Sequence, residues 1–360
     1  MNHTEFFKII KSGEIGSLYL MEGVEEYIKQ SALEQLRKAL LPAGMEALNE
    51  TVLENPSLPQ LKSASETLPF MADQRLVIVR ECALLKPSRK GGEEGEEALE
   101  EDDQTKAFCD YVADIPSTTC LVFYEKGKAD GRRKLYSAIK KHGAVAVFDT
   151  LDDAELNRWI IQTLRSLGKE ISPAAASRLS FTVGRDAALL RGEMEKLAAH
   201  TGERAQVTQE DIQAVSVKSL EASVFEMVDD LVEGKTAQAF TLFENMLRTG
   251  GSRFGILAMI MRQYRILFHF KLLKQSHTPL PEIRSRLAIP PFAVDRAAKQ
   301  AAAYTVPQLK AAVRLCLDTE YSVKSGRMAE EGSVERAMLM ISRLKGGDEQ
   351  VDMEWFARLK

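Results

Sequence analysis

The chain has 360 residues, enough for two or three domains at about 100–200 residues each, and is 45% hydrophobic and 28% charged. That balance excludes a disordered or fibrous chain. The formal net charge of −4 is uneven: −3 over residues 1–86, −6 over 87–103, +4 over 104–148 and +1 over the remainder. Local patches, rather than the average, therefore decide whether the chain meets nucleic acid.

The start, MNHTEFFKIIKSGE, lacks the basic and then apolar pattern of a secretion signal. The longest apolar runs, such as GILAMIM before Arg262, fall far short of the roughly 20 residues that cross a bilayer. A cytoplasmic protein without membrane contact is expected. The first 150 residues alternate strand and helix signals. SLYLMEG (Ser17–Gly23) reads as a strand closing on glycine, and Tyr27, Ile28, Leu33, Leu36 and Leu40 then carry a helical stripe. ETVLE (Glu50–Glu54) reads as a second strand, followed by a helix ending near Glu66 and by RLVIVREC (Arg75–Cys82). TTCLVFYEK (Thr118–Lys126) and AVAVFDTL (Ala144–Leu151) complete the set. Short, near-continuous apolar runs suit strands buried on both faces, and the helices between them imply crossovers in a mostly parallel sheet.

PSRKGGEEGEEALEEDD (Pro87–Asp103) has eight acids within 17 residues and reads as a solvated, mobile acidic loop. Past Asp152 the strand signals stop. Leu156, Trp159, Ile160, Leu164 and Leu167 stripe one helix; Ser172 caps a second with Pro173 in its first turn. Leu190, Met194 and Leu197 stripe a third, and Thr208 caps a fourth before Asp211. These predict a small helical domain over about 153–215. Longer helices follow at roughly 224–233, 236–249, 253–275, 281–286, 291–302, 306–325 and 333–344, separated by Gly or Pro as in bundles. Residues 346–360 read as a tail.

Catalytic signals are missing. Cys82, Cys109, Cys120 and Cys316 are scattered, with no CxxC pair; the five histidines form no HxxxH, and no serine sits in GxSxG. Buried, reduced thiols are expected, and neither a metal, a cofactor nor a catalytic residue. A phosphate loop after the first strand would read GxxxxGK[ST]. Here LMEGVEEYIKQSA puts Glu22, Glu25 and Glu26 where phosphates would lie, and these carboxylates repel a triphosphate. The strand TTCLVFYEK does not end in paired acids for magnesium. The topology is that of an ATPase and the chemistry is not.

Two features stand out. In ASETLPFMADQRLVIV, Leu68, Pro69, Phe70 and Met71 form an apolar turn between helix and strand. Such residues either staple a loop to its own core or form an exposed plug for a partner's pocket. In KGKADGRRKLYSAIKKHG, Lys128, Arg132, Arg133, Lys134, Lys140 and Lys141 stand against the single acid Asp130, either as a solvated face or as a surface for phosphates or an acidic partner.

In order along residues 1–345, these features resemble the delta-subunit family of the bacterial DNA polymerase III clamp loader. The resemblance rests on SLYLMEG with its lost phosphate loop, LPFM before RLVIV, GRRKLYSAIKKHG before the fifth strand, ALLRGEMEKLAAHTG, VFEMVDDLVEGKTAQAFTLFENMLRTG, ILAMIMRQYRILFHFKLL and VKSGRM. It implies α/β plus all-α architecture: a RecA-like AAA+ domain at 1–152, a helical lid at 153–215 and a helical collar at 216–345 for oligomerisation. It also implies a subunit without ATPase activity that binds and opens the sliding clamp (the beta subunit). Delta prime and the ATPase subunits would join through the collar, with primer-template DNA in the assembled complex. The family's hydrophobic clamp plug falls on Phe70 and Met71, supported by Leu68; Met71 departs from the usual Phe or Leu pairings but remains apolar and adaptable. Lys128, Arg132, Arg133 and Lys134 are the candidate DNA contacts. The alternatives are a cryptic nucleotide-dependent transferase and a nucleic-acid-binding adaptor. The adaptor would also draw on the acid-free run Asn245–Pro281, with Arg248, Arg253, Arg262, Arg265, Lys271 and Lys274.

Overall fold

The structure is a computed structural model that describes residues 1–87, 96–289 and 293–344, with the backbone alone for residues 96–102. The chain divides into two compact units, Met1–Asp152 and Asp153–Lys360.

The first unit is built on a parallel sheet of five strands in the order β2-β3-β4-β1-β5: β1 (Leu18–Glu22), β2 (Glu50–Glu54), β3 (Arg75–Arg80), β4 (Thr119–Tyr124) and β5 (Ala144–Val147). Five parallel strands need crossovers, and both faces must be covered. Alternate strand residues serve the two faces. Leu18, Leu20, Val77, Val79, Leu121, Phe123 and Val145 join one core with α4 (Leu58–Glu66), α5 (Glu96–Val112) and α6 (Lys134–His142). On the opposite face α1 (His3–Ser12) and α2 (Glu26–Leu40) supply Phe6, Ile28, Ala32, Leu33 and Leu36, and the Phe6 ring meets Tyr19 edge-on at 5.2 Å. Asn2 bridges to Val147, so the β5 edge of the sheet is covered. At the other edge, among the described residues, β2 pairs with β3 alone.

The second unit begins with α7 (Asp153–Ser166), α8 (Pro173–Val183), α9 (Ala187–His200) and α10 (Gln209–Val215). Ser172 caps α8 onto the Ala175 N–H, and Thr208 forms a capping box with Asp211, as read from the sequence. Strands are not absent here: Glu170–Ile171 (β6) and Gln206–Val207 (β7) pair in parallel. Two-residue strands are too short to show period-two alternation, so no pattern in the sequence marks them. There follow α11 (Leu220–Glu233), α12 (Thr236–Arg248), α13 (Arg253–Gln275), α14 (Leu280–Leu287), α15 (Val294–Ala302), α16 (Val306–Lys324) and α17 (Ser333–Leu344). Their core runs from Val224 to Leu344, with α13 packed against α14, α15 and α16.

The acidic stretch needs a correction. Part of it, 88–95, lies outside the described residues, but Glu96–Asp103 belongs to α5 rather than to a loop. Glu, Ala and Leu are strong helix formers, and acids in a first turn complement the helix dipole. The tail 346–360 and the start of the helix expected at 291 also lie outside the described residues. Cys82, Cys120 and Cys316 are buried and Cys109 is half-buried, all as free thiols. Among the described residues no helix is long and apolar enough to cross a membrane.

Candidate functional site

The apolar turn lies between α4 and β3, beside the four-residue helix α3 (Glu46–Asn49) that runs into β2. Leu68, Phe70 and Met71 are 76%, 53% and 75% exposed. A loop stapled to its own core would hide these side chains, and here they face solvent. The backbone beneath them is held firmly. Phe70 N–H donates to Asn49 Oδ1 at 2.6 Å, and Asn49 Nδ2 donates back to the Phe70 carbonyl at 2.9 Å. Arg75 Nη1 donates to the Thr67 carbonyl at 3.0 Å and Nη2 to Thr51 Oγ1 at 2.9 Å. Burial lowers the pKa of that guanidinium from its ordinary value. Met71 has φ of 52°, a left-handed conformation that a side-chain-bearing residue adopts at a cost and that turns the chain sharply after Phe70.

A second region lies at the carboxyl ends of β1 and β4, where open α/β sheets bind ligands. Here the space is filled from within. Lys29, fully buried on α2, donates Nζ to the carbonyls of Gly23 (2.9 Å) and Glu125 (2.6 Å) and pairs with Glu26 at 2.9 Å. Its ammonium also lies over the Tyr124 ring, 4.9 Å from the centroid. A phosphate cradle needs free backbone amides. In this turn Gly23 N–H donates to the Gly127 carbonyl at 2.6 Å, Glu25 N–H to Phe148 at 2.9 Å and Glu26 N–H to Val24 at 2.9 Å. Gly23 has φ of 118°, and a Cβ there would lie 2.2 Å from the Phe148 carbonyl oxygen. Only glycine fits this closed turn.

Two of the carboxylates, Glu22 and Glu125, are likewise committed inward. Glu22 is buried and accepts from the Ala129 N–H at 2.7 Å and the Tyr136 hydroxyl at 3.1 Å. Glu125 accepts from the Cys82 N–H at 2.7 Å, and burial pushes its carboxyl up to about 7. Tyr124 donates to Glu26, and burial together with that carboxylate raises the phenol's pKa. The sequence reading marked the glutamates but missed Lys29 as the group that fills the site. Its signal was a lysine one turn after Glu26 at the start of the helix that follows β1.

The basic stretch is less open than its composition suggests. Lys128 pairs with Asp149 at 2.9 Å, and Arg132 pairs with Asp130 at 2.8 Å. Hydrogen bonds from Arg132 hold the Asp130 carboxyl down at about 2. Arg133 Nε donates to the Leu84 carbonyl at 3.0 Å. Lys134 opens α6, and Lys140 and Lys141 are exposed in its last turn. Among the described residues no group of three or more His, Cys, Asp or Glu is placed to hold a metal ion.

Comparison with known proteins agrees with this architecture. The family model described as DNA polymerase III, delta subunit, matches residues 19–148, and the model of that subunit's C-terminal domain matches residues 221–341. The DNA polymerase III subunit delta of Bacillus subtilis (strain 168) is 26% identical over 340 residues, covering 94% of this chain and 96% of its own length. The solved structure of the Bacillus subtilis DNA clamp loader delta protein superposes with a TM-score of 0.56 at 24% identity, covering 95% of this chain and 99% of that one. The parallel-sheet unit, the helical unit and both family matches lead to one assignment: the chain belongs to the DNA polymerase III delta-subunit family.

Proposed function

We propose that this protein binds and opens the ring-shaped sliding clamp through Leu68, Phe70 and Met71, and that it hydrolyses no ATP itself. The observation that carries the reading is the exposed apolar turn on a backbone tied down at Thr67 and Phe70. An anchored apolar plug loses little freedom on docking, so more of its burial is expressed as affinity. A closed ring is held by its own subunit interfaces. A plug bound beside one interface favours a clamp conformation that no longer fits its neighbour, so binding and opening draw on one free energy. In this reading residues 1–152 form the AAA+ domain, 153–215 the lid and 216–345 the collar that joins delta prime and the ATPase subunits. Clamp capture by immobilised full-length protein is the direct test, and absence of capture at micromolar clamp would overturn the reading.

The filled space at Lys29 supports the absence of nucleotide chemistry. Calorimetric titration of ATP with magnesium into the pure protein is expected to show no binding in the micromolar range. Micromolar affinity would mean that the turn opens to admit phosphates and would return the enzyme reading to contention.

For primer-template DNA in the assembled loader, the stretch from Lys128 to Lys134 is the proposed contact. The Lys128–Asp149 ion pair is a surface pair of the kind that contributes little, so a phosphate can displace it, and the Arg132 side chain stays 86% exposed beside Asp130. Replacing Arg132, Arg133 and Lys134 by alanine is expected to lower the log–log salt slope of DNA binding by roughly 1 for each phosphate no longer engaged. Clamp binding should not change. An unchanged slope would leave these residues as a solvated helix face.

A further inference from the structure

Asn49 occupies an unusual position. It is fully buried at the junction of α3 and β2, yet its side-chain amide is spent on a loop distant in sequence. Oδ1 accepts from the Phe70 N–H at 2.6 Å; Nδ2 donates to the Phe70 carbonyl at 2.9 Å and to the Met45 carbonyl at 3.1 Å. The pair of bonds to one residue copies the exchange between hydrogen-bonded partners in an antiparallel ladder. It fixes both the position and the rotation of the Phe70 peptide groups. Neighbouring constraints act in the same direction. Pro69 has a fixed φ and restricts Leu68 to extended conformations, and Met71 is left-handed. The Asn49 amide thus ties the tip of the turn to the junction of α3 and β2, across 21 residues of sequence.

We propose that Asn49 is the positioning residue of the clamp-binding turn, holding Phe70 and Met71 outward before the partner arrives. This rests on the assignment of the turn as the clamp-binding site. Without the Asn49 bonds the turn samples conformations in which Phe70 and Met71 point elsewhere, and only the docking-competent fraction binds. Apparent affinity then falls in proportion to that fraction. Because the bound state keeps the same interface, the loss appears in the association rate, whereas removal of an anchor raises the dissociation rate.

The test uses full-length protein on immobilised clamp, with association and dissociation followed separately and amide hydrogen exchange read at Phe70. Asn49→Ala removes all three bonds. Asn49→Asp keeps the volume but removes the donor, and serves if the alanine variant fails to fold. Either variant is expected to slow association about tenfold with dissociation within about twofold of the parent, and Asn49→Ala, which removes the acceptor that Asn49→Asp keeps, to unprotect the Phe70 amide. A destabilised fold alone would also lower the apparent association rate, so that rate is taken per folded molecule, with the folded fraction read by circular dichroism on the same sample. Phe70→Ala runs alongside as the control for the site. If Phe70→Ala leaves binding unchanged, the site assignment fails, and the positioning role with it. If Phe70→Ala weakens binding while both Asn49 variants associate at the parental rate, the positioning role fails and the site stands.

Discussion

Replacing Phe70 and Met71 together by alanine is expected to weaken clamp binding by roughly a hundredfold or more while leaving the protein folded. Large apolar anchors at the centre of an interface commonly cost about 2 kcal/mol or more each when truncated, and every 1.4 kcal/mol is about tenfold in affinity. Two such anchors exceed the hundredfold mark even if they share part of their effect. The fold should survive because the side chains removed are 53% and 75% exposed and contribute little to their own core. The backbone bonds of the turn come from Asn49 and Arg75 and are untouched by the change. Surface plasmon resonance and a thermal melt on the same preparation read the two halves of the expectation. Unchanged affinity would remove the turn from the interface, and a collapsed melt would show that these residues hold their loop to the core.

Lys29→Met is expected to destabilise the first unit by about 3 kcal/mol. The substitution keeps an unbranched apolar stem of similar length and removes the ammonium. The buried carbonyls of Gly23 and Glu125 then lose their donor, at about 1–3 kcal/mol for each buried group left unpaired. Glu26, half-exposed, can turn to water and adds less. Because the chain has two compact units, the change should be read by hydrogen exchange at β1 and β4 amides rather than from one global transition. Less than about 1 kcal/mol of lost protection would mean that water replaces the ammonium freely. ATP should not restore the lost protection, whereas a lysine that worked on phosphates would give a variant defective in nucleotide binding and unchanged in stability.

The sheet was legible because burial on both faces of β1, β3 and β4 leaves uninterrupted apolar runs, and the half-exposed edge strand ETVLE is bounded at Glu50 and Glu54 in the sequence and in the fold alike. The helices of the second unit were legible from capping residues and apolar stripes; Ser172, Thr208 and the Leu190–Met194–Leu197 stripe all fall as read. What escaped depends on contacts distant in sequence. Asn49 and Lys29 sit in ordinary helical contexts, and their roles come from carbonyls and amides 21 and 96 residues away. The α5 start escaped because an acid-rich run lacks the apolar stripe that marks a packed helix, and local propensity alone extends the helix back to Glu96. Of the candidate site, the turn was legible as apolar residues between helix and strand, but those residues alone left open whether they pack inward or face solvent, and only the family resemblance pointed outward. The framework that holds it was not legible.

The buried cysteines give each unit its own clock. Burial pushes the Cys82 thiol up to about 11 and those of Cys120 and Cys316 up to about 12, so in the folded chain none is a thiolate near neutral pH. Alkylating reagents therefore reach them only when the surrounding structure opens. In the first unit Cys82 follows β3 and Cys120 lies within β4, and in the second Cys316 lies inside α16. Timed alkylation followed by peptide mass spectrometry thus dates the opening of the sheet and of the helical bundle separately, in one sample and without introducing a label.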